Sequence, residues 1–368
     1  MAVQLALSVG SRLAVSARST AFLNSLKKGF CVASFSHAVC SGFFRRGFSD
    51  FSSSSTGRTH VDWKAKGDVA VVQMGDPRAF ANSWTVHMQT EMMDVLDEIC
   101  ENDAVQSAVV TSSKPGSFLV GVDVNEIQKC ETKEDARLLS QYWQMMMDKF
   151  QYSPKPIVAA IDGWCVNGGL EFITACQYRV ATKNPMTIFA SRETRLGLMP
   201  SAGGTVRLTN LVGPYRALDM MLEGYAIRAD AAKKIGLVQK VIDTQDSDYL
   251  EDVAIDSARE IVDKIIPLIP QRNNLLLKTQ DYFYSFPKVR KLMFEHMRQK
   301  VMDKETFFNA PIKIIETVKT ALEQGPVAGY HAESKNFGLL AKQSDTKALI
   351  KLHQDLIAIY EEKLMQDM

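Results

Sequence analysis

Apolar residues in the first two-thirds of the chain follow two alternating patterns. Short continuous apolar runs are typical of strands buried on both faces. We predict strands at residues 69–74, 108–111, 156–161 and 178–181, of which the last also contains Arg179. Between them, apolar residues recur at helical spacing over residues 84–100, 133–150 and 170–176. Strands that alternate with helices predict an α/β fold with crossover connections.

The pattern changes after about residue 243. Strand-like runs stop, and apolar residues fall on one helical face, as Ile312, Ile315 and Val318 do. A polar stretch at residues 244–248 separates the two regions. We therefore predict one domain over residues 59–247 and an α-helical region over residues 248–368.

The N-terminal segment has a composition of its own. The first 49 residues contain six Lys or Arg residues, many serines and no Asp or Glu. A basic, serine-rich and acid-free start is typical of a mitochondrial transit peptide, whereas a secretory signal would have one continuous apolar centre. We predict a transit peptide or disordered segment over residues 1–58, cleaved after Arg45-Arg46, and a location in the mitochondrial matrix.

Global composition narrows the function classes. The net charge of +1 gives no sign of nucleic-acid binding. No apolar run approaches the roughly 18 residues that span a bilayer. The six cysteines form no CxxC pair, so we expect reduced thiols, no disulfide framework and no metal site.

The candidate chemistry lies around Gly168 and Gly169, which precede Glu171 at a predicted helix start. Helix N-terminal amides favour developing negative charge, and glycine lets a ligand approach the backbone closely. A second N–H donor has to come from another strand end, and we choose Val122. With Glu193 as a second carboxyl, these groups suit the addition of water to an unsaturated acyl thioester, which passes through an enolate.

Each of these features also has a plain structural interpretation. Two glycines before a helix are often only a tight turn, and Glu171 alone is a favourable charge at a helix start. Glu193 alone is typical of a solvated charge. The catalytic interpretation therefore requires that the two glutamates meet in space.

Other reaction classes lack their motifs. No histidine lies between residues 88 and 295, so Cys165 has no base nearby in the sequence. The chain contains no GxxxxGK[ST] motif and no strand-embedded GxGxxG motif. Nucleotide hydrolysis and nicotinamide redox chemistry are therefore not expected.

Several sequence motifs together resemble one enzyme family. They are IVAAIDG at residues 157–163, GGLE at residues 168–171 and CQYRVATK at residues 176–183. The chain is similar to the crotonase (enoyl-CoA hydratase/isomerase) superfamily over roughly residues 59–360. The later segments APIKIIETVK (310–319) and ESKNFG (333–338) resemble, more narrowly, α subunits of mitochondrial trifunctional proteins.

The resemblance implies a crotonase-like ββα spiral superhelix, followed by the α-helical region, and a role for each candidate residue. Glu171 would orient and deprotonate water, and Glu193 would protonate Cα. Gly168 and Val122 would supply the oxyanion-hole amides. The coenzyme A moiety would pass the residues Val120, Gly121, Asp123, Val124 and Gly169. No cofactor is implied, because the substrate itself is a coenzyme A thioester.

Departures from the family pattern occur at the site. Asn167 and Ser201 stand where family members usually have glycine, and Val122 where they have alanine. Arg192 replaces the usual proline, and a cation beside Glu193 would lower the pKa of that carboxyl. The trifunctional α subunits that the chain resembles continue into a nicotinamide-binding domain. This chain ends at Met368, so we expect it to lack 3-hydroxyacyl-CoA dehydrogenase activity.

The sequence therefore favours an enoyl-CoA hydratase of mitochondrial fatty-acid β-oxidation. An enoyl-CoA isomerase is a close alternative, although it needs only one carboxylate. A second alternative is a catalytically weakened scaffold that docks with a thiolase β subunit or with the inner membrane. The oligomeric state is left open, since the helical region is able to cover the surface through which simple crotonases trimerise.

Overall fold

The protein is described by a computed structural model that covers residues 57–244, 246–267, 275–303 and 309–366. The predicted transit peptide lies outside these residues except for positions 57 and 58. The strands of the described residues are β1 (Val61–Lys66), β2 (Val69–Met74), β3 (Ser107–Ser112), β4 (Ser117–Leu119), β5 (Ile157–Ile161), β6 (Trp164–Val166), β7 (Tyr178–Thr182), β8 (Ile188–Ala190), β9 (Ile227–Arg228) and β10 (Lys240–Ile242).

The helices surround these strands and then continue to the C-terminal end of the described residues. They are α1 (Val86–Glu101), α2 (Val124–Lys129), α3 (Lys133–Gln151), α4 (Gly168–Ala175), α5 (Gly204–Val212), α6 (Pro214–Glu223), α7 (Ala229–Lys234), α8 (Ser247–Val262), α9 (Leu275–Ser285), α10 (Pro287–Met302), α11 (Asn309–Gln324), α12 (Pro326–Ala341) and α13 (Ser344–Gln366). A 3₁₀-helix spans Glu193–Leu196.

The strands form two sheets. The larger has the order β1-β2-β3-β5-β7-β10 and is parallel except between β1 and β2. The smaller has the order β4-β6-β8-β9 and is antiparallel only between β8 and β9. Each parallel pair is joined by a crossover, as the alternating pattern predicts.

Both faces of the larger sheet are covered, which explains its continuous apolar runs. On β2, Ala70 and Val72 face the main core, whereas Val69 and Val71 pack with α8 on the other face. Alternate residues of a strand point to opposite faces, so a strand covered twice needs apolar residues throughout. Helix α8 begins at Ser247, within the polar stretch predicted as a boundary at residues 244–248, and packs on the sheet.

Local signals explain the ends of the predicted helices. Thr85 caps α1 by accepting a hydrogen bond from the Met88 N–H, as Thr at this position predicts. Thr132 and Asp135 form a reciprocal capping box that starts α3. The strand and helix predictions over residues 69–181 are confirmed, with helix ends shifted by one or two residues.

Two details differ from the sequence interpretation. Strand β1 was not predicted, because it is an edge strand in which only Val61 is fully buried, so its apolar signal is weak. In the helix predicted over residues 133–150, three consecutive methionines occupy positions 145–147, and the apolar Met145 does not join the core, since it is 36% exposed. Met146 and Met147 are buried, since they lie on the inner face of α3.

The helical region predicted after residue 248 is confirmed for the described residues. Helix α12 packs closely along α3, because Gly338 has no side chain: a Cβ there would lie 2.3 Å from the Lys133 carbonyl oxygen. Among the described residues, no helix is long and apolar enough to cross a membrane. Across all described residues there are four cysteines, at positions 100, 130, 165 and 176. They are free thiols, and three of them are buried.

Candidate active site

Two backbone N–H groups lie side by side where neighbouring strands end. Val122 follows β4, and Gly168 follows β6, which pairs with β4 in parallel. A Cβ placed on Gly168 would lie 3.3 Å from the Val122 nitrogen. Among the described residues, neither N–H group donates to a protein acceptor. The pair is therefore available to an oxygen that carries negative charge.

Close backbone contact holds this pair in place. A Cβ on Gly169 would lie only 2.0 Å from the Leu119 carbonyl oxygen, so a larger residue at this position would push α4 away from β4. The Trp84 indole N–H donates to the Gly168 carbonyl at 3.4 Å, and its ring packs on Phe172. The start of α4 is thus fixed against buried aromatic residues.

Asn167 connects the start of α4 to the segment that carries Glu193. Its backbone has φ of 53° and ψ of −121°, a conformation that favours glycine. Its side-chain Oδ1 accepts the Arg192 N–H at 2.7 Å, and its own N–H donates to the Ala190 carbonyl at 2.8 Å. The asparagine therefore adds a hydrogen bond that glycine cannot make.

Glu171 lies in the first turn of α4 with its side chain turned inward. The residue is 4% exposed. Its Oε1 accepts the N–H groups of Ala202 and Gly204, both at 2.8 Å. A Cβ on Gly204 would lie 2.5 Å from Glu171 Oε1, so a larger residue there would displace this carboxyl. Burial raises the pKa of Glu171 well above its ordinary value, and the charges of Glu333 and Glu193 raise it further.

Glu193 begins the 3₁₀-helix, and its carboxyl is buried. Its Oε2 accepts a hydrogen bond from the Ser191 hydroxyl at 2.6 Å, while Oε1 has no hydrogen-bond partner among the described residues. Burial raises the pKa of Glu193 to about 7, and the hydrogen bond from Ser191 opposes the rise. The structure thus brings Glu171 and Glu193 into one buried cluster instead of leaving Glu193 solvated.

The expectation that the cation of Arg192 leaves Glu193 with a lowered pKa is wrong, because the pKa is raised and Arg192 opposes the rise through its backbone N–H. The Arg192 guanidinium turns away from the carboxyl, and its Nε donates to the Gly224 carbonyl at 3.1 Å. Desolvation of the Glu193 carboxyl is therefore the dominant effect, and its direction is upward. Two charged residues that are adjacent in sequence need not have their charged groups in contact, because consecutive side chains leave the backbone in different directions.

Ser201 fits the turn without glycine. Its backbone is not among the left-handed positions of the described residues, so no strain arises from its Cβ. The Ser201 carbonyl accepts the Ser140 hydroxyl at 2.6 Å, which ties the turn to α3. The replacement of glycine here leaves the contacts to Glu171 intact.

A third buried carboxyl, which sequence reasoning did not select, completes the cluster. Glu333 on α12 has 0% exposure and accepts hydrogen bonds from Gly203, Thr205 and Gln144. One signal was available: Glu333 lies between Gly329 and Phe337 on the buried face of its helix. A charge on a buried helical face requires a partner.

Comparison with known protein families identifies the family of this chain. The sequence pattern described as enoyl-CoA hydratase/isomerase matches residues 64–325. The chain belongs to this enoyl-CoA hydratase/isomerase family. The predicted superfamily resemblance is thereby confirmed at the family level.

Solved structures of similar proteins include DspI from Pseudomonas aeruginosa, which is 25% identical with a TM-score of 0.51 over 68% of this chain and 97% of that one. An enoyl-CoA hydratase from Bacillus anthracis is 24% identical, with a TM-score of 0.50 over 69% and 99% of the two chains. One from Bacillus halodurans is 17% identical, with a TM-score of 0.55 over 79% and 99%. The last two show the fold, and the predicted crotonase-like α/β class is confirmed.

The segment assigned by the crotonase resemblance to coenzyme A follows the smaller sheet. The Val120 N–H donates to the Asn82 carbonyl at 2.9 Å, and Gly121 has φ of 134°. The carboxylate of Asp123 accepts the Asn125 N–H at 2.9 Å and so caps α2, whose first residue is Val124. The carboxylate of Asp123 is thus engaged within the protein.

The site holds no evident metal centre in the part of the chain that is described. Those residues contain no group of three or more His, Cys, Asp or Glu side chains that suits a metal ion. The Cys165 thiol in β6 is buried, and burial raises its pKa well above the ordinary value. A thiol in that state is a poor nucleophile.

Proposed function

We propose that this crotonase-family protein is an enoyl-CoA hydratase, which adds water to trans-2-enoyl-CoA to give 3-hydroxyacyl-CoA. The observation that carries the proposal is a pair of buried glutamates, Glu171 and Glu193, in the site that also offers two unpaired N–H groups. General acid–base addition across a polarised double bond needs one group that accepts a proton and one that gives it. Two carboxyls whose pKa values are raised can supply both near neutral pH.

The N–H groups of Gly168 and Val122 would bind the thioester carbonyl oxygen. Attack of water at Cβ moves negative charge onto this oxygen as the enolate forms. Donors already aimed at that position stabilise the charge without reorganisation, and one such donor is worth about 3 kcal/mol in a buried site. The residues of α4 are mostly buried, and the low dielectric constant of buried surroundings strengthens the attraction between these donors and the enolate oxygen.

The two carboxyls would then move the protons. Two amide hydrogen bonds fix Oε1 of Glu171, so we assign the orientation and deprotonation of water to this residue. We assign the delivery of a proton to Cα to Glu193, whose pKa is raised to about 7. The water oxygen joins Cβ, its proton passes to Glu171, and the Glu193 proton joins Cα.

The coenzyme A portion would lie along Val120, Gly121, Asp123, Val124 and Gly169. Of these, Gly121 and Gly169 lie beside the two N–H donors, and their lack of side chains lets the segment after β4 and the start of α4 approach each other closely. We expect no further cofactor, because the thioester of the substrate supplies the activation of the double bond.

A turnover assay tests this proposal most directly. Purified protein is mixed with crotonyl-CoA and longer trans-2-enoyl-CoA esters, and the loss of enoyl-thioester absorbance is followed. We expect hydration with at least one chain length. The absence of turnover with all of them, in protein that binds the saturated esters, would reject the hydratase assignment.

The pH dependence follows from the state of Glu193. As the proton donor, Glu193 is competent below its pKa of about 7, so hydration is expected to fall as the pH rises through that value. The Ser191 hydroxyl lowers this pKa by hydrogen bonding to the carboxylate. Ser191→Ala is therefore expected to move the decline in kcat to higher pH.

A matched serine variant controls for this measurement. Ser257 is buried in α8, and its hydroxyl donates to the Val253 carbonyl at 2.8 Å instead of to a glutamate. Ser257→Ala is expected to keep the wild-type pH profile. An unchanged profile in Ser191→Ala, or a shift to lower pH, would contradict the proposed role of Glu193.

The wider setting is a second part of the proposal. We infer a place in mitochondrial fatty-acid β-oxidation, in the matrix or at the inner membrane, as in a trifunctional α subunit with a thiolase β partner. The acid-free first 49 residues and the segments at 310–319 and 333–338 support it. The protein is used to capture partners from matrix extract. If no thiolase is captured, this partner is contradicted.

The weakened-scaffold alternative rested on Asn167, Arg192 and Ser201. All three are accommodated by hydrogen bonds that leave Glu171 and Glu193 in one cluster. An isomerase needs only one of these glutamates. We therefore favour the hydratase.

A further inference from the structure

Glu333 connects the helical region to the turn that holds Glu171. Its Oε1 accepts the N–H of Gly203 at 2.6 Å and Nε2 of Gln144 at 2.8 Å. Its Oε2 accepts the N–H and the hydroxyl of Thr205 at 3.1 and 2.7 Å. Three of these four partners are N–H groups, which only donate. Such a set is matched to an ionised carboxylate.

The amides of the turn alternate between two carboxylates. Residues 202 and 204 donate to Glu171, while residues 203 and 205 donate to Glu333. These amides lead into α5, where unpaired N–H groups favour anions. A shift of Glu333 therefore moves the amides that fix the catalytic carboxyl.

Other contacts hold the same turn but do not replace Glu333. The Arg207 guanidinium donates to the Ala202 carbonyl and also pairs with Asp148. These contacts hold a carbonyl, whereas the N–H groups of residues 203 and 205 have Glu333 as their acceptor. The removal of this acceptor leaves buried donors unsatisfied.

We propose, on the basis of the hydratase function above, that Glu333 is a positioning residue: its carboxylate fixes the 202–205 turn and thereby the orientation of Glu171. Glu333 lies outside residues 64–325, which match the family pattern. The helical region thus contributes directly to the site instead of only extending the chain.

The titratable groups that interact electrostatically with Glu333 come from several elements. They are Glu171 on α4, Glu193 on the 3₁₀-helix, Arg207 on α5 and the neutral Tyr330 on α12. Burial raises the pKa of Glu333, and its four hydrogen bonds oppose that rise. The charge of Glu333 raises the pKa of Glu171. Loss of this charge therefore lowers the pKa of Glu171.

The variant Glu333→Gln tests the proposal, because it keeps the shape but places an NH₂ group against N–H donors. We expect kcat for enoyl-CoA hydration to fall about 10- to 100-fold, as small misplacements of catalytic groups do. KM is expected to stay within about threefold, since the Gly168 and Val122 amides are untouched. Wild-type kcat in folded Glu333→Gln would overturn the proposal.

A titration gives a readout that turnover does not. Glutamate labelled with ¹³C at Cδ is followed by NMR in the wild type and in Glu333→Gln, with the Glu171 signal identified by its loss in Glu171→Gln. We expect a lower pKa of Glu171 in Glu333→Gln. An unchanged pKa would mean that Glu333 only stabilises the fold, and would overturn the proposal even if kcat fell. Wild-type protein without turnover would reject the hydratase function, while this titration still decides on Glu333.

Two further variants complete the design. Glu323→Gln changes an exposed glutamate on α11 that pairs with Lys319, and wild-type kinetics are expected. Thr205→Val removes one donor to Glu333 and keeps the backbone amide. If Glu333→Gln does not fold, Thr205→Val decides: a several-fold lower kcat with unchanged KM supports the proposal, and wild-type kcat overturns it.

Discussion

Replacing Glu171 with glutamine is expected to lower kcat for enoyl-CoA hydration by about a hundred- to ten-thousandfold, the usual contribution of a general acid–base group. The glutamine carbonyl can still accept the amides of Ala202 and Gly204, so the turn keeps its geometry. The amide has no basic oxygen comparable to a carboxylate and cannot take the proton of water. The measurement is steady-state hydration of crotonyl-CoA, with thermal unfolding as a check on the fold.

Binding should survive in this variant. The oxyanion donors Gly168 and Val122 and the segment assigned to coenzyme A are unchanged, so affinity for saturated acyl-CoA by calorimetry is expected to match the wild type. Glu323→Gln is the matched control, because Glu323 is exposed and pairs with Lys319 instead of with the 202–205 turn. Undiminished hydration by Glu171→Gln would remove Glu171 from the mechanism.

The sheet was predictable because its physics is local. Strand β5 is buried on both faces, so it appears in the sequence as the continuous apolar run IVAAI. Strand β1 is different, since it lies at the edge and has mostly exposed side chains. Its identity depends on the hairpin with β2, which apolar runs alone do not reveal.

Part of the candidate site was also visible in the sequence. The two glycines before Glu171 indicate a close backbone approach and a helix start, and both are present. The proximity of Glu193 to Glu171 depends instead on pairing between β6 and β8, which places the segments after these strands together. No local pattern in the sequence reveals that these two strands pair.

Glu333 shows the limit of local reasoning. Its partners Gly203 and Thr205 lie about 130 positions earlier, and nothing near residue 333 names them. The direction of the Glu193 pKa was missed for a related reason. The sequence places Arg192 beside Glu193, but only the fold shows that its guanidinium reaches the Gly224 carbonyl.

Replacing Glu193 with glutamine is expected to lower hydration by a similar factor of about a hundred to ten thousand, and to remove a second activity as well. If Glu193 exchanges the proton at Cα, the enzyme should exchange α-protons of a saturated acyl-CoA with D₂O. This reaction needs the oxyanion donors and the Cα base, but no water attack at Cβ.

The two glutamine variants therefore separate the two roles. Glu193→Gln should lose both hydration and α-proton exchange, whereas Glu171→Gln should lose hydration and keep exchange. Exchange is followed by mass spectrometry or by loss of the α-proton NMR signal of butyryl-CoA. Retained exchange in Glu193→Gln, with loss in Glu171→Gln, would reverse the two assignments, because the residue that serves Cα is the one whose carboxylate the exchange requires.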